Sequence, residues 1–273
     1  MHTRAIPSSG EQLPVIGCGT YRGFDVGLNS AAYRQLPGVL DALFAAGGSV
    51  IDSSPMYGRA EAVTGALLAK STTRSKAFIA TKVWTRGGDA GIAEMQRSGE
   101  LLKANPIDLM QIHNLLDWKI HLPTLRAWKE SRRIRYLGIT HYTQSAFADL
   151  EAVMRAEPLD FVQFNYSVMD RAAERRLLPL AQERGIAVLI NYPLASGSAP
   201  RAAGNRPLPG FAADLECTSW PQLMLKFVVG HPAVTCAIPG TGNPEHMADN
   251  ARAGSGPLPD VAMRNRIAAA CAA

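Results

Sequence analysis

AFIATKVW (77–84) and, one helix-length interval later, IDLMQIHN (107–114) decide the fold. Both runs are apolar for most of their length without strict alternation, and both end on side chains that carry chemistry. A strand with one wet face alternates; a strand covered on both faces reads as a nearly continuous apolar run, the pattern of a parallel sheet. Working outward, VIGCG (15–19) and VIDSS (50–54) precede these runs, and YLGITHY (136–142), FVQFNY (161–166), AVLINYP (187–193) and VTCAIPG (234–240) follow. That makes eight strand candidates.

Amphipathic stretches fill the intervals. AAYRQLPGVLDALFAAG (31–47) stops at Gly47-Gly48, a helix terminus, and RAEAVTGALLAK (59–70) repeats apolar residues at helical spacing. LPTLRAWKESRR, QSAFADLEAVMRA, AAERRLLPLAQERG and SWPQLMLKFVVGHP follow the same rule. Strand and helix alternating eight times predict an α/β fold, a (β/α)8 TIM barrel, as a single domain over 1–273 with a short N-terminal lead-in. A doubly wound sheet is the alternative, but GCGTYRG (17–23) is not the GxGxxG that would open its first helix. ASGSAPRAAGNRPLPG (195–210) reads as a long loop after the seventh strand, either a functional loop on the strand-end face or a disordered connector.

Composition narrows the function. Lys and Arg number 28 against 23 Asp and Glu, a net charge of +5, and the charges are scattered apart from Arg132, Arg133 and Arg135. With aromatics at only 7%, no basic and aromatic stripe for nucleic acid is present. No apolar run approaches the ~18 residues of a membrane span, so no membrane partner is expected. Cys18, Cys217, Cys236 and Cys271 form no CxxC pair and no zinc spacing, which predicts free thiols, no metal and a reducing or redox-indifferent compartment.

A barrel gathers the C-terminal ends of its strands at one mouth. Asp52, Lys82 and His113 stand at such ends, and Tyr57 lies five residues beyond Asp52 in the loop. Singly, these read as a helix cap, a snorkelling lysine, a core histidine and a packing ring. Together they suit carbonyl chemistry. A lysine beside a phenol favours phenolate and is expected to lower the Tyr57 pKa. The tyrosine can then give its proton to a developing alkoxide, with His113 bonding the same oxygen. A metal-dependent barrel would need clustered ligands, and only His113 and His141 of six histidines fall at strand ends.

IDSSPMYG, ATKVW, LMQIHN, YLGITHY, VQFNYS, LINYPLASG and IPGTGNP occur in this order, and together the chain resembles the aldo-keto reductases from LPVIGCGTYR to IPGTGNPEHMADNARAG. The resemblance implies a catalytic tetrad of Asp52, Tyr57, Lys82 and His113. It implies reduction of an aldehyde or ketone by hydride from NADPH, NADH remaining open, on a nucleotide bound without a Rossmann domain. The nicotinamide carboxamide contacts would be Thr140, His141 and Gln163, with His141 in place of the usual Asn. Thr20, Leu194, Pro239, Gly240, Thr241, Asn243, His246 and Asn250 would complete the cofactor contacts, with Arg201 or Arg206 reaching a phosphate if the 195–210 loop closes. Tyr21, Trp84, Asn114 and Trp118 would wall the substrate pocket, Asn114 replacing a frequent Trp. The chain lacks the long C-terminal loop of many relatives, which implies an open, permissive site.

The departures are specific. Where relatives stack a Tyr on the nicotinamide, this chain has Asn191 followed by Tyr192. Where they carry a Lys and an Arg for the 2′-phosphate, it has Gly240 and His246, a weaker clamp. A nucleotide-binding regulatory or redox-sensing barrel of the same family with little turnover is the alternative function. The expected partner is a small carbonyl compound, and the expected state a monomer or weak homo-oligomer. MHTRAIPSSG has no apolar run, which points to the cytoplasm, while relatives resembling RAIPSSGEQLPVIGCGT carry an upstream export signal, which leaves a periplasmic location open.

Overall fold

A computed structural model describes residues 1–272. Ten strands and ten α-helices run in the order β1 (Thr3–Ala5), β2 (Gln12–Pro14), β3 (Cys18–Gly19), α1 (Ala31–Ala45), β4 (Val50–Asp52), α2 (Ala60–Leu68), β5 (Phe78–Val83), α3 (Gly88–Leu102), β6 (Ile107–His113), α4 (Trp118–Glu130), β7 (Ile134–Thr140), α5 (Phe147–Ala156), β8 (Phe161–Asn165), α6 (Leu177–Arg184), β9 (Ala187–Asn191), α7 (Ser198–Ala203), α8 (Trp220–Val229), β10 (Cys236–Ala237), α9 (Pro244–Arg252) and α10 (Val261–Ala272). Strands β3 to β10 form one parallel sheet in sequence order. Parallel bridges from Ile16 to Ala237 and from Gly19 to Gly240 join its two edges, so the sheet closes into the (β/α)8 barrel that the eight runs predict. The doubly wound alternative, an open sheet, is excluded.

Strand periodicity explains how the barrel is filled. On β5, Phe78 and Ala80 point inward, whereas Ile79 and Val83 pack against the helices. The same split puts Leu109 inside with Met110 and Ile112 outside, and Phe161 inside with Val162 and Phe164 outside. Both faces are apolar in the lower strands, which is why no alternation shows in the sequence. Higher up, the inward positions turn polar: Val50 gives way to Asp52, Ala80 to Lys82, and Leu109 to Gln111 and then His113. The floor is closed by the lead-in, which is an antiparallel β1–β2 hairpin whose Ile6 and Leu13 pack onto the inner core.

Two readings change. The 195–210 stretch is neither structureless nor a single loop: a short 3-10 turn leads into α7, which buries Ala199 and Ala203. Helix α4 begins at Trp118, a turn earlier than the LPTL pattern indicates; just before it the Asp117 carboxylate ties this loop to the one between β5 and α3, accepting from Gly87 N at 3.0 Å and Arg86 at 3.0 Å. Among the described residues no helix is long and apolar enough to cross a membrane, and no group of metal-ligating side chains is present.

Candidate active site

At the C-terminal ends of the strands lies a cavity of about 840 Å³. Asp52, Tyr57, Lys82 and His113, from three strand–loop units, all line it. The inward register of β4 and β5 brings the Lys82 ammonium 2.7 Å from Asp52 Oδ2, with both side chains buried. Lys82 also donates to the Ser53 carbonyl at 2.7 Å, and Gln111 Nε2 donates to Asp52 Oδ1 at 3.2 Å. Lys82 Nζ lies 5.2 Å from the centroid of the Tyr57 ring, which is packed edge-on to His113 at 5.9 Å and tilted against Tyr21 at 5.0 Å.

Desolvation dominates the electrostatics. Burial, followed by the positive charges of Lys82 and His141, pushes the His113 imidazole down to about 2, so the ring is neutral. Its Nδ1 pairs with Ser54 Oγ at 2.9 Å. Burial also pulls the Lys82 ammonium down, opposed by its contact with Asp52. Tyr57 departs from the sequence expectation. Burial and the Asp52 charge hold its phenol well above 10.0 instead of below it. The reason is local: the Lys82 charge is committed to Asp52 and the Ser53 carbonyl, and the pair presents no net positive field to the phenol.

The remaining expected residues divide by position. Tyr21, Trp84, Asn114, Thr140, Gln163, Asn191, Tyr192, Leu194, Pro239, Gly240, Thr241, His246 and Asn250 line the cavity. Thr20, His141, Asn243 and Trp118 are not among its lining residues. Thr20 Oγ1 is turned to the Asp52 carbonyl at 3.1 Å and Ser53 Oγ at 2.9 Å. His141 Nδ1 accepts the Tyr142 and Thr143 backbone N–H groups at 3.0 and 3.3 Å. Asn243 caps α9, accepting from Glu245 N at 2.8 Å. Trp118 begins α4 and packs on the outer core. Arg206 is tied to the Ala203 carbonyl and lies over Trp220, and Arg201 does not line the cavity.

Asn191 and Tyr192 both line the cavity although they are adjacent. Asn191 ends β9 pointing inward by register, and a left-handed Tyr192 (φ 49°) breaks the pleat and swings the next ring to the same side. Sequence reasoning missed Gln111 and Ser54. Both were readable from the strand period, two residues before His113 and two after Asp52. It also missed Arg22 and Met56, which come from loops where no period applies, and Asp249, which lies within α9 on the same face as His246.

Several features of the wall suit a dinucleotide. Gln163 Oε1, Asn191 Oδ1 and Asn114 Oδ1 are buried without a hydrogen-bond partner, a costly state that a polar ligand relieves. The β3 and β10 loops meet backbone to backbone: a Cβ on Gly23 would stand 3.0 Å from Gly242 N, and one on Gly240 would stand 3.1 Å from the Gly19 carbonyl oxygen. Beside them begins α9, whose N-terminus favours anions.

Comparison with known proteins agrees with this geometry. The family model described as Aldo/keto reductase family matches residues 15–269. An uncharacterized oxidoreductase of Schizosaccharomyces pombe is 29% identical over 163 residues, 59% of this chain and about half (51%) of that protein. Methylglyoxal reductase of Escherichia coli is 26% identical over 260 residues, covering 92% of this chain and 89% of that one. An aldo-keto reductase from Klebsiella pneumoniae, solved in complex with NADPH, shares the fold with a TM-score of 0.81 at 22% identity, covering 98% and 94% of the two chains.

Proposed function

The chain belongs to the aldo/keto reductase family, and on that premise we propose that it reduces a small aldehyde or ketone to the alcohol, with Tyr57 as proton donor and a reduced nicotinamide nucleotide as hydride donor. The single observation that carries this reading is the convergence of a buried Lys82–Asp52 pair, the Tyr57 phenol and a neutral His113 on one cavity.

A bound nicotinamide supplies the hydride; the chain's own residues handle the oxygen and the proton. Tyr57 stays protonated at ordinary pH because its environment disfavours phenolate. That is the state a proton donor needs, and an alkoxide developing on the substrate is a stronger base than phenolate. As the carbonyl carbon accepts hydride, its oxygen takes the Tyr57 proton and the alcohol is complete. The phenolate left behind lies against Lys82, whose Nζ is 5.2 Å from the ring centroid; Asp52 and the Ser53 carbonyl take two of the ammonium hydrogens and hold the nitrogen in place, so Lys82 stabilises the phenolate as a local hydrogen-bond donor through its third N–H, without a net positive field from the pair. Ser54 Oγ accepts from Met56 N at 3.3 Å, which frees the hydroxyl hydrogen for His113 Nδ1 and leaves the ring hydrogen on Nε2 as a second donor to the carbonyl oxygen. Gln163, Thr140 and Asn191 supply amide and hydroxyl groups for the carboxamide, and Tyr192 supplies a ring at the same wall.

Trp84, Tyr21 and Met56 give the substrate side an exposed apolar rim, with Asn114 as its polar member. A permissive pocket for small carbonyl compounds fits this lining. NADPH, which the Klebsiella neighbour holds, is the first donor to test, with NADH beside it. Loss of reduced-nicotinamide absorbance on adding a panel of short aldehydes tests the reading. Steady turnover of at least one aldehyde supports it; tight nucleotide binding with no turnover of any panel member favours the regulatory alternative.

A further inference from the structure

Glu61 is a buried carboxylate that the carbonyl chemistry does not use. It stands in the first turn of α2 with 2% of its surface exposed. Among the described residues its oxygens accept only from hydroxyl groups: Thr81 Oγ1 donates to Oε1 at 2.5 Å, and Ser98 Oγ donates to Oε2 at 3.1 Å. Both donors are buried, Thr81 on β5 and Ser98 on α3. One side chain thus ties a strand to two helices on the outer side of the barrel. Burial pushes its carboxyl up, opposed by the two hydroxyl groups and then by the Lys82 charge.

Packing alone does not call for a carboxylate there. An apolar side chain of similar size would fill the space between strand and helices without the cost of burying a polar group. What the carboxylate adds is direction, because two hydrogen bonds fix the distance and orientation of the groups they join. Those groups bracket the reacting pair. Thr81 precedes Lys82 on β5, and the alternation of the strand sends the hydroxyl outward while the ammonium lines the cavity. Tyr57 lies in no strand or helix. Its N donates to the Ser54 carbonyl at 3.0 Å, and its own carbonyl accepts from Ala60 N at 3.1 Å, one residue before Glu61. The 5.2 Å from Lys82 Nζ to the Tyr57 ring centroid therefore depends on how α2 is held against β5.

We infer that Glu61 is a positioning residue for the proton transfer: by clamping Thr81 to the first turn of α2, its carboxylate sets the spacing between the Tyr57 phenol and the Lys82 ammonium. The inference rests on the proposed roles of Tyr57 and Lys82.

The test is the single-turnover rate constant for hydride transfer, with a reactive aldehyde and saturating reduced nicotinamide nucleotide. Thr81→Val removes the hydroxyl and keeps the shape. It is expected to slow transfer about tenfold or more, with nucleotide affinity unchanged. Thr81→Ser, which keeps the hydroxyl, is expected to restore most of the rate, and Glu61→Gln, which keeps an acceptor, to stay well above Glu61→Leu. A purely structural clamp would lower the melting temperature of Thr81→Val without altering the rate constant of the folded enzyme. A wild-type rate constant in Thr81→Val overturns the inference, as does an equal loss in Thr81→Ser. Where Glu61→Leu does not fold, the two Thr81 variants decide. Either result leaves the reductase reading intact, which falls only if Tyr57→Phe itself transfers hydride at the wild-type rate.

Discussion

The Lys82 ammonium stands 2.7 Å from Asp52 Oδ2, with relative side-chain exposures of 1% and 3%. Taking two charges out of water is costly, and the pair offsets that cost only because each partner has further hydrogen bonds, Lys82 to Ser53 and Asp52 from Gln111. The arrangement therefore does more for the chemistry at Tyr57 than for stability.

Removing one partner exposes the asymmetry. Lys82→Met leaves a buried carboxylate uncompensated and is expected to cost about 3–5 kcal/mol in urea unfolding. Adding Asp52→Asn should recover much of that loss, because the orphaned charge is gone, without restoring carbonyl reduction. A double variant no more stable than Lys82→Met would show that the two groups are not energetically coupled.

Stability should fall in mild acid. His113 is pushed from 6.5 to about 2 and His231 from 6.5 to about 4, each chiefly by burial. The unfolded chain takes up these protons below about 6.5 and the folded chain resists them. The contribution is thus complete above about 6.5 and drains away as the pH falls towards the folded values. For His113 alone the slope is on the order of 1 kcal/mol per pH unit. Urea midpoints measured at several pH values should decline below neutrality, and His113→Gln should flatten the decline. A midpoint insensitive to pH across that range would contradict the buried neutral imidazole.

The close approach of the β3 and β10 loops gives a third expectation. Gly23→Ala places a methyl group 3.0 Å from Gly242 N and 3.0 Å from the Thr241 carbonyl carbon, so one loop must yield by a few tenths of an ångström. Nucleotide affinity should drop about tenfold, roughly 1.4 kcal/mol, with a melting temperature close to that of the wild type. Unaltered affinity would remove this wall from the nucleotide site.

How much of this was readable beforehand follows from the periods involved. The barrel is legible because continuous apolar runs alternate with helical ones, and Asp52, Lys82 and His113 are legible because strand ends converge. Gln111 and Ser54 were equally available from same-face spacing. Tyr192 was not, because its position depends on a left-handed backbone at φ 49° that no composition signals. Asp249 was hidden for another reason: on α9 it is an ordinary polar residue, and only the packing of α8 beside it turns its carboxylate into part of the cavity wall. The direction of the Tyr57 shift was misread because the sequence places Lys82 near the phenol without showing that Asp52 has already claimed its charge.

The most direct measurement is single-turnover hydride transfer by rapid mixing, wild type against Tyr57→Phe, using a reactive aldehyde and saturating reduced nucleotide. The account predicts a rate loss of about 10²- to 10⁴-fold with nucleotide affinity and melting temperature preserved. A transfer rate in Tyr57→Phe equal to that of the wild type would contradict the assignment of Tyr57 as the proton donor.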